Sequence, residues 1–274
     1  GDGQSLLVDD FEAMEEYDAA AFEYMELQEL FRDAREFEFN AMATTSTLPV
    51  LPSGQQVSLE LGSFDECDTG GRLWTSAIVT CRWIQCEAPR LQNSSILELG
   101  SGVGAVGLFA AASVKAKRVT LTDGGPSALL ALTASNVAAN RQLWRADEVD
   151  VNVEAYAWGD LVTSACLCNH DLVLGSDVTY AGDSHEALCS TIAAQLRTHS
   201  PGCRVVLAHE HRDVEGVSAD LNLERFIATA DSMGLRAVTM CTEIEGGRRV
   251  SLLDIQDGRA AIGQGTSITP AEGR

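Results

Sequence analysis

The segment Ile96-Leu97-Glu98-Leu99-Gly100-Ser101-Gly102-Val103-Gly104 passes without interruption into the alanine-rich stretch Ala105 to Ser113. A short apolar run that breaks at glycines and resumes as a strong helix former reads as a buried strand, a tight turn and a helix. Glycine lets the backbone come close to a ligand, and the first helical turn presents N–H groups that no upstream carbonyl satisfies. The stretch therefore predicts a cradle for a nucleotide-type cofactor at the carboxyl edge of a parallel sheet.

The remainder of the chain supplies that sheet. Strands are expected over 95–99, 118–122, 149–156, 171–175 and 203–209, with helices over 105–113, 126–140, 184–198 and 220–233. Two further strands, 236–243 and 249–255, are joined only through Glu245-Gly246-Gly247, too short for a crossover, so they pair antiparallel. Alternating strands and one-faced helices imply an α/β fold, a Rossmann-like seven-stranded doubly wound sheet, mostly parallel with one antiparallel strand. A helix opening at Leu73-Trp74-Thr75 and stopping before Pro89 precedes it.

Ahead of this, residues 9–34 carry apolar residues at helical spacing among acids, which predicts one or two amphipathic helices. Arg35 to Phe39 and Val57 to Leu61 alternate polar and apolar residues around Pro49, Pro52 and Gly54, the pattern of a β-hairpin-like pair. The expected organisation is an acidic N-terminal helical extension over 1–54, a cofactor-binding domain over 55–257 and a flexible tail over 258–274.

Net charge is −21 over 274 residues, and residues 1–40 alone hold 13 acids against 2 arginines. That balance argues against nucleic acid as the main partner and mildly favours a basic protein. No apolar run approaches the length of a membrane span. The eight cysteines are scattered and form no paired C-x-x-C motif, so reduced thiols in a cytoplasmic or nuclear setting are expected and a cysteine zinc site is not. His209-Glu210-His211 puts two imidazoles on one strand face, but no third metal ligand is evident in the sequence, and no metal is expected.

Two cofactor classes share the glycine turn. Gly102-Val103-Gly104-Ala105-Val106-Gly107 spells the dinucleotide pattern G-x-G-x-x-G, a weak signal alone. Glu98 discriminates. A carboxylate beside the turn repels a pyrophosphate and attracts the sulfonium and ammonium groups of S-adenosylmethionine. Glu98-Leu-Gly-Ser-Gly-Val-Gly104 accordingly resembles motif I of the seven-strand methyltransferases that use this cofactor. Asp123, closing the second strand, suits ribose hydroxyls in either case. Trp158, just past the third strand, can cover an adenine. Ser176, Asp177 and Tyr180 end the fourth strand, where the reactive carbon would lie.

Gly71 through Trp74, Glu98 to Gly104, Leu121 to Asp123, Asn136 through Asn140, Trp158-Gly159 and Ser176-Asp-Val-Thr-Tyr180 occur in this order. Together they resemble the family 16 protein methyltransferases of the methyltransferase-like 21 type, seven-strand enzymes that mostly methylate lysines of particular non-histone proteins. The resemblance covers about residues 55–256 and departs at Thr75 and Ala157. It implies that Trp74, Glu98, Gly100, Ser101, Gly102, Asp123, Trp158 and Ser176 bind S-adenosylmethionine, and that Asp177 and Tyr180 meet the incoming lysine. A small-molecule N-methyltransferase, a nicotinamide-dependent oxidoreductase and a non-catalytic methyltransferase-like binding protein are the competing expectations.

Overall fold

The computed structural model describes residues 47–144, 148–162, 164–212 and 220–259. The acidic helices expected over 9–34, the strand limb over 35–39 and the tail from 260 onward lie outside the described residues. Seven strands form one sheet in the order β3-β2-β1-β4-β5-β7-β6. They are β1 (Ser95–Leu99), β2 (Arg118–Asp123), β3 (Asp150–Ala155), β4 (Leu172–Ser176), β5 (Arg204–Glu210), β6 (Leu235–Glu245) and β7 (Arg248–Asp257). The first five pair in parallel, and β7 runs antiparallel to both β5 and β6. The antiparallel strand is thus last in the chain but lies inside the sheet, between β5 and β6.

Among the described residues, five helices of nine residues or more flank the sheet: α1 (Thr75–Glu87), α2 (Ala105–Ser113), α3 (Ser127–Ala139), α4 (His185–Ala194) and α5 (Leu221–Ser232). The pleat of β1 distributes its side chains between two cores. Ile96 joins Ala77, Ile84 and Phe109 of α1 and α2 on one face, while Leu97 and Leu99 join Leu188, Ile192 and Phe226 of α4 and α5 on the other. All five residues of β1 are buried, as a central parallel strand covered on both faces requires. No described helix is long and apolar enough to cross a membrane.

The limb expected as a strand over 57–61 is not one. It is an extended segment whose backbone is read by two side chains. Asn136 accepts from Glu60 N–H at 2.8 Å and donates to Glu60 C=O at 3.0 Å, and Asn140 does the same for Ser58 at 2.8 and 2.7 Å. An amide carries the donor and acceptor of a peptide unit, so two of them one helical turn apart on α3 imitate the edge of a neighbouring strand. The alternation in 57–61 was a correct sign of extended chain and a wrong sign of a sheet partner.

The same face of α3 pins the glycine turn. Thr133 Oγ1 donates to Gly102 C=O at 2.6 Å and Asn136 Nδ2 to Val103 C=O at 3.0 Å. Asn136 is 1 % exposed and serves three backbone groups. Asn136→Ala should therefore destabilise the chain by roughly 2–3 kcal/mol through partners left unsatisfied. Urea unfolding checks this: the midpoint falls at constant m-value, and a change below about 0.5 kcal/mol would contradict the role given to the amide.

Candidate active site

The carboxyl ends of β1 to β5 converge on one edge of the sheet, and the glycine turn lies at its centre. Gly100, Gly102 and Gly104 have φ of +65°, +52° and +85°, a region L-residues rarely adopt. A Cβ on Gly100 would meet Val178 Cγ1 at 2.8 Å and Trp158 Cζ2 at 3.0 Å; one on Gly102 would meet the carbonyl oxygen of Gly70 at 2.8 Å. The Trp158 ring edge therefore rests against the turn. Among the described residues, Ser101 Oγ is buried without a hydrogen-bond partner, a donor and acceptor in the middle of a turn that only glycine keeps open. These features fit a small polar cofactor.

Carboxylates crowd the cradle. Glu98, 1 % exposed, accepts from Gly107 N–H at 2.8 Å, so its side chain holds the third residue of α2 from beneath the turn. Burial pushes its pKa up to about 8, the Gly107 N–H opposes that rise, and Asp123 adds to it. Asp123 accepts from Gly102 N–H at 2.9 Å and Gly125 N–H at 2.8 Å. Its pKa is raised by burial and by Asp68, against the pull of the loop N–H groups. Asp123 bridges the glycine turn and its own turn; it does not cap α3, whose N-cap is Pro126.

Beside the cradle lies a second constellation. Asp177 is buried, in left-handed backbone with φ +56°, and its N–H donates to Ala208 C=O at 2.8 Å. Arg212, just beyond β5, clamps its carboxylate with two bonds of 3.0 and 2.7 Å and also donates to Glu210 C=O at 3.1 Å. The guanidinium lies 5.8 Å from the Trp74 ring and 5.5 Å from the Tyr180 ring. Thr69 ties the two rings together, its hydroxyl 3.1 Å from the Tyr180 hydroxyl and its carbonyl accepting from Trp74 Nε1 at 2.9 Å.

Every residue singled out from the sequence reaches this edge of the sheet, but two are engaged in ways the sequence did not reveal. Ser176 Oγ donates to Ser76 Oγ of α1 at 3.0 Å, so its side chain serves the α1–β4 packing. Asp177 is half of an ion pair, not a lone carboxylate awaiting an amine. Arg212 and Thr69 are additions. The signal for Arg212 was the charged run His209 to Arg212 at the carboxyl end of an apolar strand.

The high pKa of Glu98 has a sign that can be measured. The folded chain keeps this proton up to about pH 8, whereas the unfolded chain releases it near the ordinary value of 4.5. The folded state thus binds the extra proton across that window, and this group's contribution to stability falls as pH rises from 4.5 to about 8, then levels. Glu98→Gln keeps an acceptor for Gly107 N–H and removes the titration. Urea unfolding without cofactor at pH 5, 6.5 and 8 should show the variant gaining relative stability as pH rises; parallel pH dependences would contradict the assignment.

The family model described as lysine methyltransferase matches residues 54–226, which contain the cradle, Asp123, Trp158 and the Asp177–Arg212 pair. Among curated proteins, the protein N-lysine methyltransferase METTL21A of Xenopus tropicalis is 31 % identical over 119 residues, 43 % of this chain and 52 % of that protein. The METTL21A of Danio rerio is 34 % identical over 123 residues, 44 % and 52 %. The calmodulin-lysine N-methyltransferase of Arabidopsis thaliana is 24 % identical over 165 residues, 60 % and 51 %. The chain spans about half the length of these relatives. The family-model match takes in more than half of the chain, which belongs to the lysine methyltransferase family.

Proposed function

We propose that this protein is an S-adenosylmethionine-dependent methyltransferase acting on a lysine side chain of a protein substrate. The observation that carries the reading is the crowding of the Glu98, Asp123 and Asp68 carboxyls around the glycine cradle, where burial first and a neighbouring carboxylate second raise the pKa of Glu98 and of Asp123. A pyrophosphate would add negative charge to that cluster. A sulfonium and an ammonium relieve it. In this reading Gly100, Ser101 and Gly102 cradle the cofactor, Asp123 takes its ribose hydroxyls, Trp158 covers its adenine, and Glu98, Ser176 and Trp74 complete the pocket. The bound cofactor supplies an electrophilic methyl group.

The chain's own residues then have two tasks. The first is alignment, since in-line displacement with a neutral leaving group needs position more than proton chemistry. Trp74 and Tyr180, joined through Thr69, wall the channel in which a slender alkyl amine would lie. The second is keeping the amine neutral, because an ammonium has no lone pair. Asp177 is already neutralised by Arg212, so it orients the amine and is not its base. The Asp177–Arg212 pair carries no net charge to hold an ammonium, and removal from water in the channel lowers the pKa of an entering lysine. The acidic surface favours a basic substrate protein, and a cytoplasmic or nuclear setting is proposed with it, in keeping with the free cysteines.

Incubation with methyl-labelled cofactor and a cell lysate tests the reading. Label should appear in a discrete protein band and map to lysine by mass spectrometry. Label confined to small solutes would favour a small-molecule N-methyltransferase, and no label a binding protein without turnover. Asp123→Ala should weaken cofactor binding on the order of 10–100-fold through lost ribose contacts. Asp177→Asn, which keeps the shape and removes the charge, should leave cofactor affinity within about threefold and cut methyl transfer about 100-fold through loss of amine orientation. Full transfer by Asp177→Asn would show that the proposed acceptor site is misplaced.

A further inference from the structure

β5 ends in His209-Glu210-His211, and the fold brings a third ligand-type side chain to the two imidazoles. This is Asp220, the N-cap of α5. Its Oδ2 lies 2.7 Å from His209 Nε2 and 3.1 Å from His211 Nδ1. One ligand atom from each of the three residues falls within 4.8 Å of the others. The rings are perpendicular with centroids 5.1 Å apart, so both nitrogens reach a common point without the rings colliding.

Each of the three groups is also held from behind. His209 Nδ1 is 2.6 Å from Thr179 Oγ1, and His211 Nε2 is 2.8 Å from Ser251 Oγ, which is itself 2.8 Å from Thr242 Oγ1. Asp220 Oδ1 accepts the N–H groups of Asn222 and Leu223, both at 3.1 Å, while Oδ2 faces the imidazoles and accepts the Arg212 N–H at 3.4 Å. Hydroxyls behind the far ring nitrogens can accept their N–H, which turns the lone pairs of the near nitrogens inward. That is the outer shell of a histidine metal site. The side chains are 0 %, 9 % and 6 % exposed for His209, His211 and Asp220, so this is not a chance surface gathering of acids.

We propose that His209, His211 and Asp220 form a binding site for a first-row divalent cation of the zinc class, with water completing the coordination. Imidazole and carboxylate suit such an ion. Ligand atoms on a tetrahedral zinc stand about 3.4 Å apart for bonds of about 2.0–2.1 Å. Entry of the ion therefore moves Asp220 Oδ2 about 0.7 Å away from His209 Nε2 and displaces the proton shared between them. The site lies one residue from Arg212, so the ion would brace the strand end that carries the Asp177 clamp, but its existence does not depend on the proposed methyl transfer.

The test uses the full chain without a histidine tag, stripped by chelator and titrated with Zn²⁺ and with Co²⁺. One equivalent should bind with micromolar or tighter affinity, measured calorimetrically, and Co²⁺ should develop the visible absorption of a low-symmetry site. His211→Gln retains a partner for Ser251, and Asp220→Asn retains the helix cap. Each should still unfold cooperatively and bind at least about tenfold more weakly. Wild-type binding no tighter than that of both variants, or no binding by the wild type, would overturn the proposal and leave a hydrogen-bonded His–Asp cluster.

Discussion

α2 lies so close to the sheet that no side chain fits at Gly107, where a Cβ would collide with Leu121 and stand 2.8 Å from Glu98 Oε2. The bond from Gly107 N–H to the Glu98 carboxylate occupies that contact. It joins the middle of the sheet to the first turn of the helix, and the turn between them has little freedom left. The same turn carries the left-handed glycines, meets the Trp158 edge and has two of its carbonyls held by α3. A glycine with a packing role at the third position and an acid in the preceding strand are therefore parts of a single device.

Much of the fold was legible because its signals are local. Strand limits fell within two residues of the structure, since apolar runs bounded by glycine and helix formers carry their own periodicity. The segment 57–61 was misread because its partner is a pair of side-chain amides about 80 residues away, and no periodicity announces that. The position of β7 inside the sheet was hidden for a related reason: a short connection establishes antiparallel pairing with β6 but not which strand lies on the other side.

The site divided in the same way. The cradle residues form a contiguous motif with a geometric purpose, so they could be named in advance. Asp177–Arg212 and His209–Asp220 join residues 35 and 11 positions apart, and both depend on where β4, β5 and α5 end in space. Sequence marked Asp177 as important. It could not show that the carboxylate was already paired with a guanidinium.

Electrostatically, the two halves of the site are opposites. Burial, with neighbouring carboxylates adding to it, raises the pKa of Glu98 and of Asp123 at the cradle, whereas Asp177 beside it is balanced by Arg212. Under the proposed function, a cationic donor would be drawn to the first half and a neutral amine favoured in the second, the order of charges that methyl transfer from a sulfonium needs. Side-by-side calorimetry of the intact chain with S-adenosylmethionine and with a nicotinamide dinucleotide tests this claim most directly. Binding of the sulfonium cofactor, with proton release near pH 7 as Glu98 ionises, is the predicted result; preferential binding of the dinucleotide would contradict the account.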